Sequence, residues 1–369
     1  MTLPEIPGRQ LTMDLMATVL QQMPDPTGGG YVGLFEREAA NAFGARYAVA
    51  VSSGTAAIHA ALSACGIGPG DEVLVPALTV VMTVAPLAAL GATPVFIDSD
   101  PATLDLDYVD AASKLTPRTK AIMPVHLWGR MGDPMTLAHF ASVHGLAIVE
   151  DAAQAAGSAR EGRGAGTVGT VGCVSLKDGK IISSGEGGFL LTSGPEIAEY
   201  ASAFRSHWQS APPGEAPQSR LATNSRLADP LAAIALANLR RFPELLELRR
   251  AQTRFLLDAV DQLPGLSELA PAAKEEWNGF APLLRIDLPN PRGFAEHLAS
   301  QGVPSSTGSF RLVPCDTRPM FASPDRIPCP GALQILDHTL AVVLAERDTE
   351  ETLARYAAVI AREARAWVG

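Results

Sequence analysis

Short apolar runs alternate with amphipathic stretches through the first two thirds of the 369-residue chain. The runs at 45–51, 121–125 and 146–149 predict buried strands, because continuous apolar strands are typical of a parallel sheet covered on both faces. The stretch 55–65 predicts a helix. Its buried stripe follows i, i+3, i+4, i+7 spacing and comprises Ile58, Ala61, Leu62 and Cys65. This alternation predicts an α/β fold, with a mostly parallel sheet wrapped by helices.

The stretch 73–97 contains no charged residue and is long enough on paper to span a bilayer. Four residues that break regular structure interrupt it, namely Pro76, Pro86, Gly91 and Pro94. We therefore interpret it as short buried strands at 73–75 and 94–97 with a helix near 79–90 between them, and predict no membrane span.

Helix signals continue downstream. Asp133-Pro134 predicts an N-cap followed by proline at the first helical position, which starts a helix toward His144. A long helical region from about 230 to 262 is predicted to break near Pro243, because proline removes a helical hydrogen bond.

The C-terminal third has a different pattern. From about residue 264 it predicts a smaller α+β domain, with a strand at 281–286 and a helix after Pro291. A chain of this length can bury two cores. We predict a large domain at 1–245 and a small C-terminal domain at 246–369.

Composition narrows the class of protein. The chain is 47% hydrophobic and 18% charged, with net charge −10 and pI near 5.2, which argues against a nucleic-acid binder. Four widely spaced cysteines without a CxxC pair predict reduced thiols in the cytoplasm and no thiolate zinc site. Residues 1–9 lack the basic-then-apolar pattern of a signal peptide.

Three separate segments carry candidate chemistry. Ser53-Gly54-Thr55 lies where a strand passes into a helix, whose unpaired N–H groups and positive dipole end suit a phosphate. Alone, this pattern is more often an ordinary helix cap. Asp151 lies at the carboxyl end of a strand, where ligands of α/β sheets bind, and Gln154 follows it. The alternative interpretations are a capping or ion-paired Asp151 and a solvated Gln154 on a helix.

The third segment surrounds Lys180. A strand at 171–176 precedes it, and the turn 185–188 separates it from an apolar strand at 189–191. A lysine in a glycine-rich stretch is usually a surface charge, and Lys177 is a rival three residues away. Together, however, an amine, an acid at a strand end and a Gly-Thr helix start are what pyridoxal phosphate requires.

These residues resemble the DegT/DnrJ/StrS-type sugar aminotransferases over most of the chain. The segments that carry the resemblance are Ser52-Ser53-Gly54-Thr55-Ala56-Ala57, Gly68-Pro69-Gly70-Asp71-Glu72-Val73, Gly91-Ala92-Thr93-Pro94-Val95-Phe96-Ile97-Asp98, Val125-His126-Leu127-Trp128-Gly129, Glu150-Asp151-Ala152-Ala153-Gln154-Ala155 and Gly185-Glu186-Gly187-Gly188. The resemblance implies the fold-type I class of pyridoxal-phosphate enzymes.

The resemblance also implies a role for each site residue. Lys180 matches the Schiff-base lysine, Asp151 the partner of the pyridinium nitrogen, and Gln154 a residue that contacts the cofactor. Three residues match phosphate ligands, namely Gly54, Thr55 and Ser175. Asn224 matches an asparagine that reaches the phosphate of the neighbouring subunit, which implies a homodimer with shared active sites.

The sequence departs from the family at the cofactor ring. Val80 stands where the family usually has a stacking aromatic residue, and a branched aliphatic side chain covers the ring with less π contact. Leu176 stands where the family often has Phe, and Pro230 interrupts the stretch after Arg226. Lysine at 180 argues against the related dehydratase branch, which carries histidine there.

The sequence therefore predicts a pyridoxal-phosphate-dependent aminotransferase. Its donor is predicted to be L-glutamate or L-glutamine, and its acceptor a ketone on a sugar, nucleotide sugar or cyclitol. A lyase or dehydratase that uses the same cofactor is one alternative, and a non-catalytic regulator that binds the cofactor is another. Neither nucleic acid nor a membrane is a predicted partner.

Overall fold

The computed structural model describes residues 30–321 and 327–369, together with residues 3, 13, 14, 16–18 and 21. Apart from Leu3, the segment 1–9, where a signal-peptide pattern is missing, lies outside the described residues. Among the described residues, no helix combines the length and apolar character that crossing a membrane requires.

Helices and strands alternate from residue 31 to residue 151, and four further strands follow before the next helix. The α-helices from residue 30 onward are α1 (Tyr31–Phe43), α2 (Gly54–Ala64), α3 (Val81–Ala89), α4 (Tyr108–Ser113), α5 (Pro134–His144), α6 (Pro195–Phe204), α7 (Asp229–Arg240), α8 (Phe242–Ala259), α9 (Pro291–Ser300), α10 (Pro330–Asp337) and α11 (Glu350–Ala366), within the described residues. The strands are β1 (Tyr47–Val51), β2 (Glu72–Pro76), β3 (Thr93–Ile97), β4 (Thr119–Ile122), β5 (Ala147–Asp151), β6 (Ala159–Arg160), β7 (Arg163–Gly164), β8 (Val171–Ser175), β9 (Gly188–Thr192), β10 (Leu266–Glu268), β11 (Glu275–Glu276), β12 (Leu283–Ile286) and β13 (Thr339–Ala341).

The central sheet has seven strands in the order β1-β9-β8-β5-β4-β2-β3. β9 runs antiparallel to both of its neighbours, and the other neighbouring pairs are parallel. The predicted α/β class and the mostly parallel sheet are therefore confirmed. Because β9 reverses direction between β1 and β8, those two strands run the same way.

Helices cover both faces of this sheet. On β1, Val49 and Val51 pack into the core formed with α2, α3 and α6, whereas Ala48 and Ala50 pack against α1 and α7. This alternation follows from the two-residue period of a strand. The sheet is thus buried on both sides, as its apolar strands predict.

Local signals set several helix boundaries. The Asp133 carboxylate caps α5 by accepting the N–H groups of Met135 and Thr136 at 2.8 and 3.1 Å, and the helix ends at Gly145 with φ 64°. The break predicted near Pro243 is confirmed, since α7 ends at Arg240 and α8 begins at Phe242.

The C-terminal part forms its own core around the sheet β10-β12-β13. α8 carries Leu256 and Leu257 into this core, where they pack with residues of α9 and α11. α8 therefore runs without a break through the predicted domain boundary at 245, which stays a prediction.

Candidate active site

The three candidate segments meet at one edge of the central sheet. Asp151 is the last residue of β5, and Ser175 is the last residue of the parallel strand β8. Gly188 on β9 pairs with Ser175 on one side and with Val51, the end of β1, on the other. This register places the carboxyl ends of β1, β5 and β8 together.

The start of α2 forms a cradle with free hydrogen-bond donors. The Ser53 hydroxyl caps the helix by accepting the N–H of Ala56 at 3.0 Å. The N–H groups of Gly54 and Thr55 meet no acceptor among the described residues. A Cβ added to Gly54 would lie 2.9 Å from Cβ of Ser175, so only glycine lets the two segments approach this closely. Free N–H groups beside a serine hydroxyl suit a phosphate.

Asp151 is buried and held through both carboxylate oxygens. Its Oδ2 accepts the hydroxyl of Thr83 at 2.7 Å, and its Oδ1 accepts the N–H of Ala153 at 3.0 Å. Asp151 is only 5% exposed, and Thr83 is fully buried. The carboxylate thus has a fixed orientation at the sheet edge.

The two candidate lysines have different surroundings. Lys177 is exposed, whereas Lys180 is partly buried and its Nζ lies 5.1 Å from the centroid of the Phe280 ring. Loss of hydration lowers the pKa of Lys180 to about 8, while Asp151 raises that pKa and Lys177 lowers it. An amine with this pKa is a far better nucleophile at neutral pH than a solvated lysine. The structure therefore favours Lys180 over Lys177.

Gln154 presents its amide nitrogen without a protein partner. Its Oε1 accepts the N–H of Trp128 at 2.7 Å, which fixes the orientation of the amide because an N–H group only donates. The Nε2 group has no acceptor among the described residues and is free to donate to a ligand oxygen. Trp128 holds this position with an unusual φ of 57°.

Asn278 binds the segment that carries Gln154, and the sequence did not predict this role. Its Nδ2 donates to the carbonyl oxygens of Gln154 and Ala156 at 2.9 and 3.0 Å, and its Oδ1 accepts the N–H of Phe280 at 2.9 Å. Asn278 therefore fixes the segments that carry Gln154 and Phe280 relative to each other. It lies far from the other site residues in sequence, in a segment without a recognisable motif.

Val80 and Asn224 complete the predicted set. Val80 is the N-cap of α3 and packs against a cluster that includes Leu78 and Trp128. The N–H of Trp128 is the group that binds Gln154. Asn224 is exposed, and its side chain has no hydrogen bond among the described residues. Its neighbour Ser225 accepts the N–H of Ser52 at 2.8 Å, so Asn224 lies beside the start of α2 without reaching the cradle through a bond.

The residues present fit pyridoxal phosphate. The cradle at Gly54, Thr55 and Ser175 offers donors for a phosphate, and Asp151 is an acceptor for a protonated ring nitrogen. Lys180 supplies the amine, and Gln154 supplies a free donor. These groups lie at the carboxyl ends of parallel strands, where α/β sheets bind ligands.

Comparison with known proteins agrees with this fit. The family model of the DegT/DnrJ/EryC1/StrS aminotransferase family matches residues 11–361. GDP-perosamine synthase of Caulobacter vibrioides is 39% identical over 60% of this chain and 59% of its own length. A UDP-N-acetyl-3-dehydro-alpha-D-glucosamine 3-aminotransferase of Acidithiobacillus ferrooxidans is 33% identical over 89% of this chain and 87% of its own.

Two further matches widen the comparison. The L-glutamine:2-deoxy-scyllo-inosose aminotransferase of Streptoalloteichus tenebrarius is 34% identical over 66% of this chain and 61% of its own. Among solved structures, DesV of S. venezuelae in complex with a ketimine intermediate superposes with a TM-score of 0.86 at 30% identity, covering 98% of this chain and 96% of that one.

Proposed function

The chain belongs to the DegT/DnrJ/EryC1/StrS aminotransferase family, and we propose that it moves an amino group from L-glutamate or L-glutamine to a ketone on a sugar, nucleotide sugar or cyclitol. It is a pyridoxal-phosphate-dependent aminotransferase. The observation that carries the proposal is the desolvated amine of Lys180, which lies within electrostatic reach of the buried Asp151 carboxylate at the edge that holds the phosphate cradle.

Each site residue is proposed to bind a different part of the cofactor. The N–H groups of Gly54 and Thr55, with the Ser175 hydroxyl, would hold the phosphate, and the Asp151 carboxylate would keep a proton on the ring nitrogen. Gln154 Nε2 would donate to the phenolic oxygen, and Val80 would cover the ring. When bound, the cofactor supplies an aldehyde for attachment to an amine and a ring that withdraws electrons.

The chemistry at Lys180 follows from its pKa. At neutral to mildly alkaline pH a substantial fraction of its Nζ is unprotonated, because that pKa is about 8. With the cofactor bound, the unprotonated Nζ would accept the proton that leaves the α-carbon of the amino donor and would return it to the C4′ carbon of the cofactor. The Phe280 ring borders this amine, with its centroid 5.1 Å from Nζ.

The names of the relatives support the substrate class. Two are named for sugars linked to GDP or UDP, and a third is named for L-glutamine and 2-deoxy-scyllo-inosose. The match to the first of them covers little more than half of that protein. We therefore limit the proposal to the class of acceptor and the two donors.

The assembly is also part of the proposal. The exposed side chain of Asn224, which has no hydrogen-bond partner among the described residues, is available to a second copy, and it lies beside the start of α2. We infer a cytoplasmic homodimer in which Asn224 of each subunit completes the phosphate site of the other. The cysteines, which are free and mostly buried in the structure, are compatible with a reducing compartment.

The donor half-reaction tests the proposed activity. The purified holoprotein is mixed with L-glutamate, L-glutamine or a panel of other amino acids, and the released cofactor is separated by chromatography. Formation of pyridoxamine phosphate together with the matching keto acid supports the aminotransferase. A lyase or dehydratase would consume a substrate without forming pyridoxamine phosphate, and a regulator would do neither. Failure of every donor would therefore contradict the proposal.

A further inference from the structure

Two threonine hydroxyls form a relay that ends on Asp151. Thr79 Oγ1 donates to Thr83 Oγ1 at 2.8 Å, and Thr83 Oγ1 donates to Asp151 Oδ2 at 2.7 Å. The three residues are 1%, 0% and 5% exposed, so water does not compete for these bonds. In such surroundings a hydrogen bond to a charged group is strong.

The direction of the relay follows from the chemistry of its members. An ionised carboxylate only accepts, so the single proton of the Thr83 hydroxyl points to Asp151. Thr83 then has no proton left for Thr79, and the bond between the two hydroxyls uses the proton of Thr79. Both protons therefore point toward the carboxylate, and each stabilises its negative charge.

The relay is built into one short segment. Thr79 and Thr83 are four residues apart at the start of α3, and the N–H of Thr83 donates to the carbonyl oxygen of Val80 at 3.1 Å. The segment that offers Val80 to the cofactor ring therefore also holds the carboxylate at the ring edge. A shift of this turn would move both groups.

We propose that Thr83 is a positioning residue that holds the Asp151 carboxylate aimed at the ring nitrogen of pyridoxal phosphate, and that Thr79 orients Thr83. This inference rests on the proposed function. Thr83 itself contacts Asp151 and acts on the reaction only through it. The ring of the cofactor withdraws electrons well only while its nitrogen is protonated, so the relay sets the strength of the electron sink.

The test measures the protonation of the ring nitrogen in a protein that cannot turn over. In the Lys180→Ala background, which lacks the reactive amine, pyridoxamine phosphate labelled with ¹⁵N at the ring nitrogen is bound, and its NMR resonance and Kd are measured. Thr83→Val keeps the branched shape but removes the hydroxyl. We expect the resonance to move toward the unprotonated position and Kd to rise about tenfold, the size expected for losing a hydrogen bond to a charged group.

Three further variants separate positioning from packing. Thr83→Ser keeps the donor and loses a methyl group, so it should retain the resonance of the parent. Thr79→Val should shift the resonance in the same direction as Thr83→Val, but less. Thr192→Val is the control, since Thr192 is also buried and donates to the Thr170 carbonyl at 2.8 Å away from the site. It should change neither quantity.

Several outcomes would overturn the inference. A Thr83→Val protein with the parental resonance and a Kd within about twofold would show that the hydroxyl does not act on Asp151. Equal losses in Thr83→Ser and Thr83→Val would assign the effect to packing. If Thr83→Val does not fold, an unshifted resonance in Thr79→Val contradicts the relay.

The proposed function can fail separately. If pyridoxamine phosphate does not bind the Lys180→Ala protein with both threonines intact, the cofactor site itself is wrong. If it binds with a protonated nitrogen and the threonine variants change nothing, only the relay is wrong. Asp151→Asn in the same background gives the resonance expected when the carboxylate is lost altogether.

Discussion

The Nζ of Lys180 lies 5.1 Å from the centroid of the Phe280 ring, so an aromatic face borders the reactive amine. Burial lowers the pKa of this amine to about 8, while the negative face of the ring favours its charged form. Phe280 comes from the segment that Asn278 fixes against Gln154. A residue from the C-terminal part of the chain thus borders the amine of Lys180.

The rate at which the apoprotein binds pyridoxal phosphate should depend on pH. Only the unprotonated amine is nucleophilic and its fraction grows toward one as pH increases through about 8, so the rate at which apoprotein captures pyridoxal phosphate should rise through that pH and then level off. A solvated lysine, with a pKa near 10.5, would show a rise that continues to much higher pH. Stopped-flow absorbance across a pH series measures this midpoint.

Two variants should move this midpoint in opposite directions. Phe280→Leu keeps apolar bulk but removes the ring that favours the ammonium, so the midpoint should fall. Lys177→Ala removes a positive charge that lowers the pKa of Lys180, so the midpoint should rise. If neither substitution changes the midpoint, a group other than Lys180 controls the capture of pyridoxal phosphate.

The second prediction concerns the phosphate cradle. Gly54→Ala places a Cβ 2.9 Å from Cβ and 3.2 Å from Oγ of Ser175, so Ser175 has to move away from the start of α2. Kd for pyridoxal phosphate should rise about tenfold or more, because phosphate donors are displaced. Gly68→Ala is the matched control, since its Cβ would meet no atom of the described residues within 4 Å. Equal affinity in the two variants would place the phosphate elsewhere.

The third prediction concerns the shared site. Lys180→Ala and Asn224→Ala subunits, each inactive or impaired alone, are mixed under conditions that allow exchange. If Asn224 acts across the interface, one site of each mixed dimer carries both substitutions and the other carries neither. Activity should then recover to about half per mixed dimer, an estimate that assumes independent sites. No recovery after proven exchange, or a monomer by light scattering, would contradict the shared site.

Much of the fold could be predicted from local patterns. The cap at Asp133, the break before Phe242 and the apolar strands depend on short-range signals, and the structure confirms them. The helix predicted at 79–90 begins later, at Val81, because Val80 has an extended backbone with ψ 156°. The residues before Val80 form the connection from the end of β2. Strand reversal at β9 could not be predicted, since direction in a sheet depends on distant pairing.

The site was predictable only where its residues follow strands. Asp151, Ser175 and Gly54 lie at strand or helix ends, so the topology of an α/β sheet brings them together. Thr83, Asn278 and Phe280 act through contacts between segments far apart in sequence. No periodicity marks such contacts, and the partner of a hydroxyl or amide is decided by packing. Asn224 stays a prediction, because its proposed partner is a second copy of the chain.

The most direct test asks which atom carries the cofactor. The holoprotein is reduced with borohydride, digested, and mapped by mass spectrometry, with Lys177→Ala and Lys180→Ala proteins treated in parallel. We predict a pyridoxyl group on Lys180 in the parent and in Lys177→Ala, and none in Lys180→Ala. A pyridoxyl group on Lys177, or none in the parent, would contradict Lys180 as the cofactor lysine and the mechanism that depends on it.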